Sequence, residues 1–255
     1  MNPKIKDWHG QRVWLIGASS GIGAALAREL RGRGARLALS ARNAEALQLL
    51  AADEASALVL PFDITRAGAA LRARDEILAN WGGIDLVLVV AGTYQKMRAD
   101  DFDLSAARQL VETNLNGTLS CLDAVLPTLL AQGYGAIGIV ASVAGLSGLP
   151  QALIYGPTKA ALINLCESLY LDLRPRGIGV YLINPGFVAT TLTANNDFSM
   201  PALISAETAA HEILLGIERG AFHIHFPRRF TNGLRVLRLL PYRLYFWLIH
   251  KVTGL

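Results

Sequence analysis

Arg12-Val13-Trp14-Leu15-Ile16-Gly17-Ala18-Ser19-Ser20-Gly21-Ile22-Gly23-Ala24-Ala25-Leu26-Ala27 is the stretch from which the fold can be read. A short apolar run ends on glycine, two more glycines follow at GxxxGxG spacing, and a helical pattern starts at once. Glycine lets the backbone turn sharply and approach a ligand, while the unpaired amides at a helix N-terminus favour negative charge. Strand, glycine turn and helix in this order form a cradle for the pyrophosphate of a dinucleotide. Its candidate contacts are Gly17, Ser19, Ser20, Gly21, Ile22 and Gly23. A tight strand-to-helix turn with no ligand would explain one glycine, but not three at this spacing. The loop is longer than the GxGxxG fingerprint.

Outward from this unit the same alternation repeats. Apolar, strand-like runs lie near 12–16, 35–39, 57–61, 85–90, 136–141, 178–183 and 221–226, separated by helical patterns over 22–33, 43–55, 66–81, 104–132, 153–174 and 206–219. The runs are almost continuously apolar, so both sheet faces should be covered by helices. The expectation is an α/β fold with a doubly wound, parallel seven-stranded sheet, a Rossmann-like three-layer sandwich. No repeat or Pro/Ser-rich linker divides residues 1–227, which read as one nucleotide-binding and catalytic domain; 228–255 read as a basic, apolar helical extension packed on it or projecting from it.

Composition agrees with one ordinary globular domain: 255 residues, 52% hydrophobic and 17% charged, which excludes a disordered or collagen-like chain. Cys121 and Cys166 fall in helical stretches without a CxxC pairing, so no disulfide framework or zinc site is expected and a reducing, cytoplasmic compartment fits. The opening MNPKIKDWHGQRVWLIG lacks a signal-peptide core, and no apolar run approaches the roughly 18 residues that span a bilayer. The net charge of +4 is segregated: residues 219–255 hold 7 of the 24 Lys and Arg and none of the 20 Asp and Glu. A patch so confined points to a local anionic or interfacial partner rather than to nucleic acid.

The second strand region ends in Ser40-Ala41-Arg42-Asn43 with no acid at its tip. In βαβ nucleotide sites a carboxylate there bonds the ribose of NAD, whereas an arginine accommodates the 2′-phosphate of NADP. Arg42 therefore favours NADP(H). Asp63, in PFDIT, and Ala91-Gly92 stand at strand C-terminal ends where such ligands bind, and border the adenine in this reading; Asp63 read by itself is a turn residue before Thr65.

Tyr155 and Lys159 are four residues apart on one helix, hence on one face. A phenol with a pKa near 10 is a poor proton shuttle at neutral pH, and a fixed ammonium beside it is expected to lower that value. Ser142, at another strand end, can donate to a substrate oxygen that Tyr155 protonates. YxxxK in isolation would be a surface pair; the serine and glycine loop change that reading.

With these motifs in fixed order, residues 10–226 resemble the short-chain dehydrogenase/reductase family in its single-domain form of about 250 residues. The resemblance implies a catalytic tetrad. Tyr155 is the general acid or base, Ser142 positions the substrate oxygen, Lys159 holds the nicotinamide ribose and lowers the tyrosine pKa, and Asn114 holds a water that links Lys159 to solvent. It also implies that Pro185, Gly186 and Val188 shape the nicotinamide pocket, with Thr190 on its carboxamide or on phosphate. The implied activity is NADP(H)-dependent interconversion of a carbonyl and a secondary alcohol, metal-free, by a homodimer or homotetramer. Alternatives are a nucleotide-sensing protein with little turnover and a ketoacyl-carrier-protein reductase. Ile16 replaces the family's threonine before the glycine loop and Val89-Val90 its paired asparagines, so local bracing should differ while the chemistry is kept.

Residues 191–204, with Tyr94, Leu146, Leu149 and Phe187, suggest an apolar substrate pocket and a lipophilic substrate. His223 and His225 are two apart on one strand and lack an acidic or thiol partner, which favours a structural role over metal binding. In the tail, Arg235 and Arg238 oppose leucines, and Pro241 interrupts the chain before Tyr242, Tyr245, Phe246 and Trp247. Three readings stay open for it: peripheral contact at the inner face of a membrane, packing on a partner subunit or over the active-site mouth, and docking of an acidic acyl carrier.

Overall fold

In a computed structural model that describes residues 1–51, 57–194 and 200–254, the chain forms a seven-stranded sheet of order β3-β2-β1-β4-β5-β6-β7, every pairing parallel. The strands are β1 (Arg12–Ile16), β2 (Arg36–Ser40), β3 (Leu58–Val59), β4 (Leu86–Val89), β5 (Gly135–Val140), β6 (Ile178–Pro185) and β7 (His223–Phe226). The helices are α1 (Gly21–Gly32), α2 (Ala44–Ala51), α3 (Ala69–Trp81), α4 (Leu104–Val111), α5 (Gly117–Gln132), α6 (Tyr155–Leu173), α7 (Ala206–Glu218), α8 (Arg228–Leu237) and α9 (Tyr242–Thr253).

Side-chain alternation along β1 divides two cores. Val13 and Leu15 join Leu26, Leu30 and Leu47 of α1 and α2 and Ile213 of α7 on one face, and Trp14 and Ile16 join Ile77, Val125 and Leu162 of α3, α5 and α6 on the other. The result is the expected three-layer sandwich. The chain runs outward from β1 through β2 to β3, then returns to place β4 on the other side of β1. That reversal opens a crevice above the C-terminal ends of β1 and β4, the usual ligand position in open α/β sheets.

Some boundaries differ from the sequence reading, three of them for reasons visible in the structure. The third strand is two residues long, because it is an edge strand that runs into Pro61, which has no N–H to give the ladder. The third helix begins at Ala69 and not at residue 66, since Gly68 at φ +70° sits outside helical geometry. The stretch 104–132 is not one regular helix. Asp103 caps it by accepting from the amides of Ser105 and Ala106 at 2.7 and 3.2 Å, and a π turn over Glu112–Asn116 separates α4 from α5. The end of the expected 43–55 helix lies outside the described residues. Cys121 and Cys166 are both buried free thiols, and no helix among the described residues is long and apolar enough to cross a membrane.

Candidate active site

Above the sheet a cleft of about 1300 Å³ runs from the end of β2 across β1 and β4 to the start of α6. Its first part is made of main chain. Gly17 has φ +98°, and a Cβ on it would meet the Ala91 amide nitrogen at 2.5 Å, so only glycine lets the turn after β1 lie against the exit of β4. A Cβ on Gly23 would sit 2.0 Å from the Gly17 carbonyl oxygen. Ser20 begins α1 without a side-chain capping bond, and the first helical turn carries no acid. The amides there are thus left for a ligand, which is what the pyrophosphate reading requires.

The lining includes all the residues expected at the nucleotide along this route: Gly17, Ser19, Ser20, Gly21, Ile22, Gly23, Arg42, Asp63, Ala91 and Gly92, then Pro185, Gly186, Val188 and Thr190 on the far side. Asp63 accepts from the amide and hydroxyl of Thr65 at 2.9 and 2.8 Å, and these bonds hold its carboxyl below the usual range, helped by Arg42 and Arg66. It is a turn residue and a cleft residue at once. Asn43 caps α2 by accepting from the Ala46 amide, leaving Arg42 at the rim.

The second part is made of buried side chains. Ser142 follows β5, accepts from the Ala144 amide at 3.1 Å, and is hydrogen-bonded to the Tyr155 hydroxyl. Tyr155 opens α6, with the ring of Tyr94 set edge-on at 5.0 Å. Lys159, only 4% exposed one turn later, donates to the Val140 carbonyl at 2.9 Å. Ser142, Tyr155 and Lys159 all line the cleft.

One expectation is corrected here. Lys159 does not lower the tyrosine in this arrangement: its ammonium is 5.7 Å from the Tyr155 ring centroid and bonded elsewhere. Burial instead pushes the phenol up to about 12, partly offset by the Ser142 hydrogen bond, and pushes Lys159 down to about 8. Asn114 lies just behind the cleft lining, on Thr93. Placed by the π turn and fully buried, it accepts from the Thr93 amide at 2.7 Å and donates to the Thr93 carbonyl at 2.9 Å and to the Thr158 hydroxyl at 3.2 Å. Its side chain clamps the segment after β4 to α6. A Cβ on Gly92 would lie 3.3 Å from the Asn114 Oδ1 and 3.4 Å from the Lys159 Nζ, so that glycine lets both approach.

The apolar wall was only partly foreseen. Phe187 packs on Phe230 with tilted rings, 5.6 Å between centroids, and Leu146, partly buried, packs against the core. Neither they nor Leu149 line the cleft, whose apolar side comes from Phe102, Leu104, Ala107 and Val111 with Ile154 and Leu192. The signal was present: Leu104, Ala107 and Val111 are spaced i, i+3 and i+7 on one helix face. Of the expected segment 191–204, Thr191, Leu192 and Thr193 line the cleft, its base is joined at Ile204 by a bridge to Val188, and 195–199 lie outside the described residues. His223 Nε2 meets the Asn184 amide and His225 Nδ1 the Thr231 hydroxyl, and no metal-holding group of His, Cys, Asp or Glu occurs among the described residues.

Comparison with known proteins agrees with this architecture. The family model described as short chain dehydrogenase matches residues 11–199. The chain belongs to the short-chain dehydrogenase family. It is an oxidoreductase of that family, 37% identical over 232 residues to an uncharacterized oxidoreductase of Myxococcus xanthus, with 89% of this chain and 91% of that protein covered. A short-chain dehydrogenase from Burkholderia cenocepacia, solved in complex with NADP, superposes with a TM-score of 0.80 at 27% identity, covering 92% of this chain and 100% of that one. Another from Burkholderia phymatum, solved with NAD, has the same fold: TM-score 0.83, 22% identity, and coverage of 91% and 94%. The short-chain dehydrogenase family binds a nicotinamide cofactor.

Proposed function

We propose that this short-chain dehydrogenase interconverts a carbonyl and a secondary alcohol, with NADP(H) as cofactor and a lipophilic molecule as substrate. The observation that carries the reading is the convergence of Ser142, Tyr155 and Lys159 at the end of the cleft that begins over the glycine turn. Gly17 and Gly23, where a Cβ would strike main chain, fit a group lying directly on the backbone. In this reading Gly17, Ser19, Ser20, Gly21, Ile22 and Gly23 hold the pyrophosphate, and Arg42 holds the 2′-phosphate. Asp63, Ala91 and Gly92 border the adenine, while Lys159, Pro185, Gly186, Val188 and Thr190 hold the nicotinamide ribose and ring. The bound cofactor supplies or accepts the hydride.

The protein's own part is proton control. In reduction Ser142 donates a hydrogen bond to the carbonyl oxygen and Tyr155 gives it a proton. A phenol held near 12 is fully loaded at neutral pH. The Lys159 ammonium, bonded to the Val140 carbonyl, serves this end by holding the nicotinamide ribose. Oxidation runs these transfers backwards. Asn114 acts through position, fixing the segment after β4 against α6. The wall of Phe102, Leu104, Ala107 and Val111 gives the substrate an apolar surface.

NADP is favoured over NAD because Arg42 reaches the rim beside β2 while the nearby Asp63 carboxylate is committed to Thr65. A panel of aliphatic and aromatic ketones, reduced with NADPH and with NADH, tests the assignment. We expect a preference for NADPH in kcat/KM, reduced about ten-fold or more by Arg42→Ala with little change for NADH. Equal use of both cofactors by the parent protein refutes the NADP assignment, and no turnover with any carbonyl or alcohol favours the sensing alternative.

A further inference from the structure

We propose that α8 and α9 form a face that binds the surface of an anionic phospholipid bilayer, a function independent of the redox assignment. The tail is anchored on its inner side. Thr231 is fully buried and bonded to His225, Phe230 packs on Phe187, and the Tyr245 hydroxyl donates to the Gly148 carbonyl at 2.6 Å. With Tyr245 directed inward, the opposite side of α9 presents Arg243, Phe246, Trp247 and Lys251, and Leu239 and Tyr242 stand beside it at the turn. These are large apolar groups in water: Leu239 is 82% exposed, Tyr242 78% and Trp247 55%. Tyr242 stacks on Phe246 at 5.7 Å, and the Lys251 ammonium lies 5.1 Å from the Trp247 ring.

Charge decides the occupant. Residues 219–255 contain seven cations and no carboxylate side chain, so a second copy docking this face on itself would bring like charges together. An anionic lipid surface meets both requirements. Phosphates accept the arginine and lysine heads, and the aromatic and leucine side chains enter the headgroup boundary, where Trp and Tyr are favoured. Helices of 10 and 12 residues are too short to span and lie in the interface instead. The inner side of the same helices holds Phe187, next to Val188, and Gly148, in the segment between Ser142 and Tyr155.

The full chain is sedimented with vesicles of phosphatidylcholine alone and of phosphatidylcholine with 30% phosphatidylglycerol (about a third anionic, enough for a strong surface potential). We expect binding only to the anionic vesicles, weakened by raised salt, with a blue shift of tryptophan emission from Trp247. The exposed-charge variant Arg238→Gln/Arg243→Gln/Lys251→Gln should lower the partition coefficient roughly a hundred-fold, at about five-fold per cation. Phe246→Ser/Trp247→Ser should also lose binding, both variants keeping the parent circular dichroism spectrum. The proposal is overturned if the anionic vesicles leave the protein in the supernatant, or if the charge variant binds undiminished. It is equally overturned if ultracentrifugation shows self-association that Phe246→Ser/Trp247→Ser abolishes, or if an acidic carrier protein but no vesicle is retained.

Discussion

At its β1–α1 end the cleft is bounded by main chain brought close because Gly17 and Gly23 have no side chains, whereas at its β5–α6 end it is bounded by the buried polar side chains of Ser142, Tyr155 and Lys159. In the proposed reading the first end recognises by shape and by amide dipoles, at the cost of backbone freedom alone. The second end places an ammonium and a phenol out of water, a costly environment that shifts both proton affinities in opposite directions. On that proposed reading one end serves binding and the other carries chemistry at some expense of stability.

The sharpest break of this contrast is Tyr155→Phe, which removes one oxygen and leaves the packing against Tyr94. Turnover in steady-state assays should fall by ~10³-fold or more, with cofactor affinity changed only a few-fold. A variant that keeps near-parent turnover would move proton transfer to another group. The pH profile of the parent sharpens the same point. Tyr155, near 12, stays protonated across the assay range, so the alkaline fall in the reductive rate should follow loss of the Lys159 proton near pH 8.

Gly17→Ala attacks the other end. Its Cβ would lie 2.5 Å from the Ala91 nitrogen in a backbone conformation that L residues rarely adopt, so we expect a loss of about 3 kcal/mol or more in urea unfolding together with weaker cofactor binding. The equivalent change at an open glycine, Gly233→Ala, meets nothing within 4 Å and should be stabilising or neutral.

These two ends differed in how far they could be read from the chain. A glycine whose Cβ has no room leaves a mark in the sequence, and Gly17, Gly21 and Gly23 were legible for that reason, as were the continuously apolar strands that fixed the parallel sheet. Tyr155 and Lys159 were legible as a helical pair with Ser142. What was not legible depends on distances between distant segments. Nothing in ETNLN announces a π turn that sets Asn114 onto Thr93, and the ordinary effect of a cation four residues from a phenol says nothing of the carbonyl of Val140 that holds it. Phe187, read from the sequence as part of an apolar pocket with Tyr94, Leu146 and Leu149, packs on Phe230 of the tail.

A smaller effect with an unusual sign tests the claim that the polar end is costly. Folding lowers Lys159 from 10.5 to about 8, so below pH 8 the native state carries the full penalty of a buried ammonium, on the order of 3 kcal/mol. Lys159→Met removes it and loses one hydrogen bond to Val140. At pH 7 the variant should unfold at higher urea by about 2 kcal/mol while losing turnover. Because the unfolded chain binds the extra proton between pH 8 and 10.5, the parent gains stability as pH rises through that window, and the advantage of the variant should shrink there. An advantage that stays constant with pH would mean that packing, and not charge, is responsible.

The smallest change asks whether the tail belongs to the polar end. Tyr245 is the one residue of α9 that is buried, and its hydroxyl donates to Gly148, in the segment between Ser142 and Tyr155. Tyr245→Phe keeps the ring and deletes that bond, so the global cost should be about 1 kcal/mol. In the proposed reading the segment it restrains runs from Ser142, which positions the substrate oxygen, to Tyr155. If the tail serves the substrate end, KM for the carbonyl should rise a few-fold while KM for the cofactor stays within experimental scatter. An equal rise in both would instead place α9 as a support of the whole cleft, and the distinction between its two ends would then stop short of the C-terminal helices.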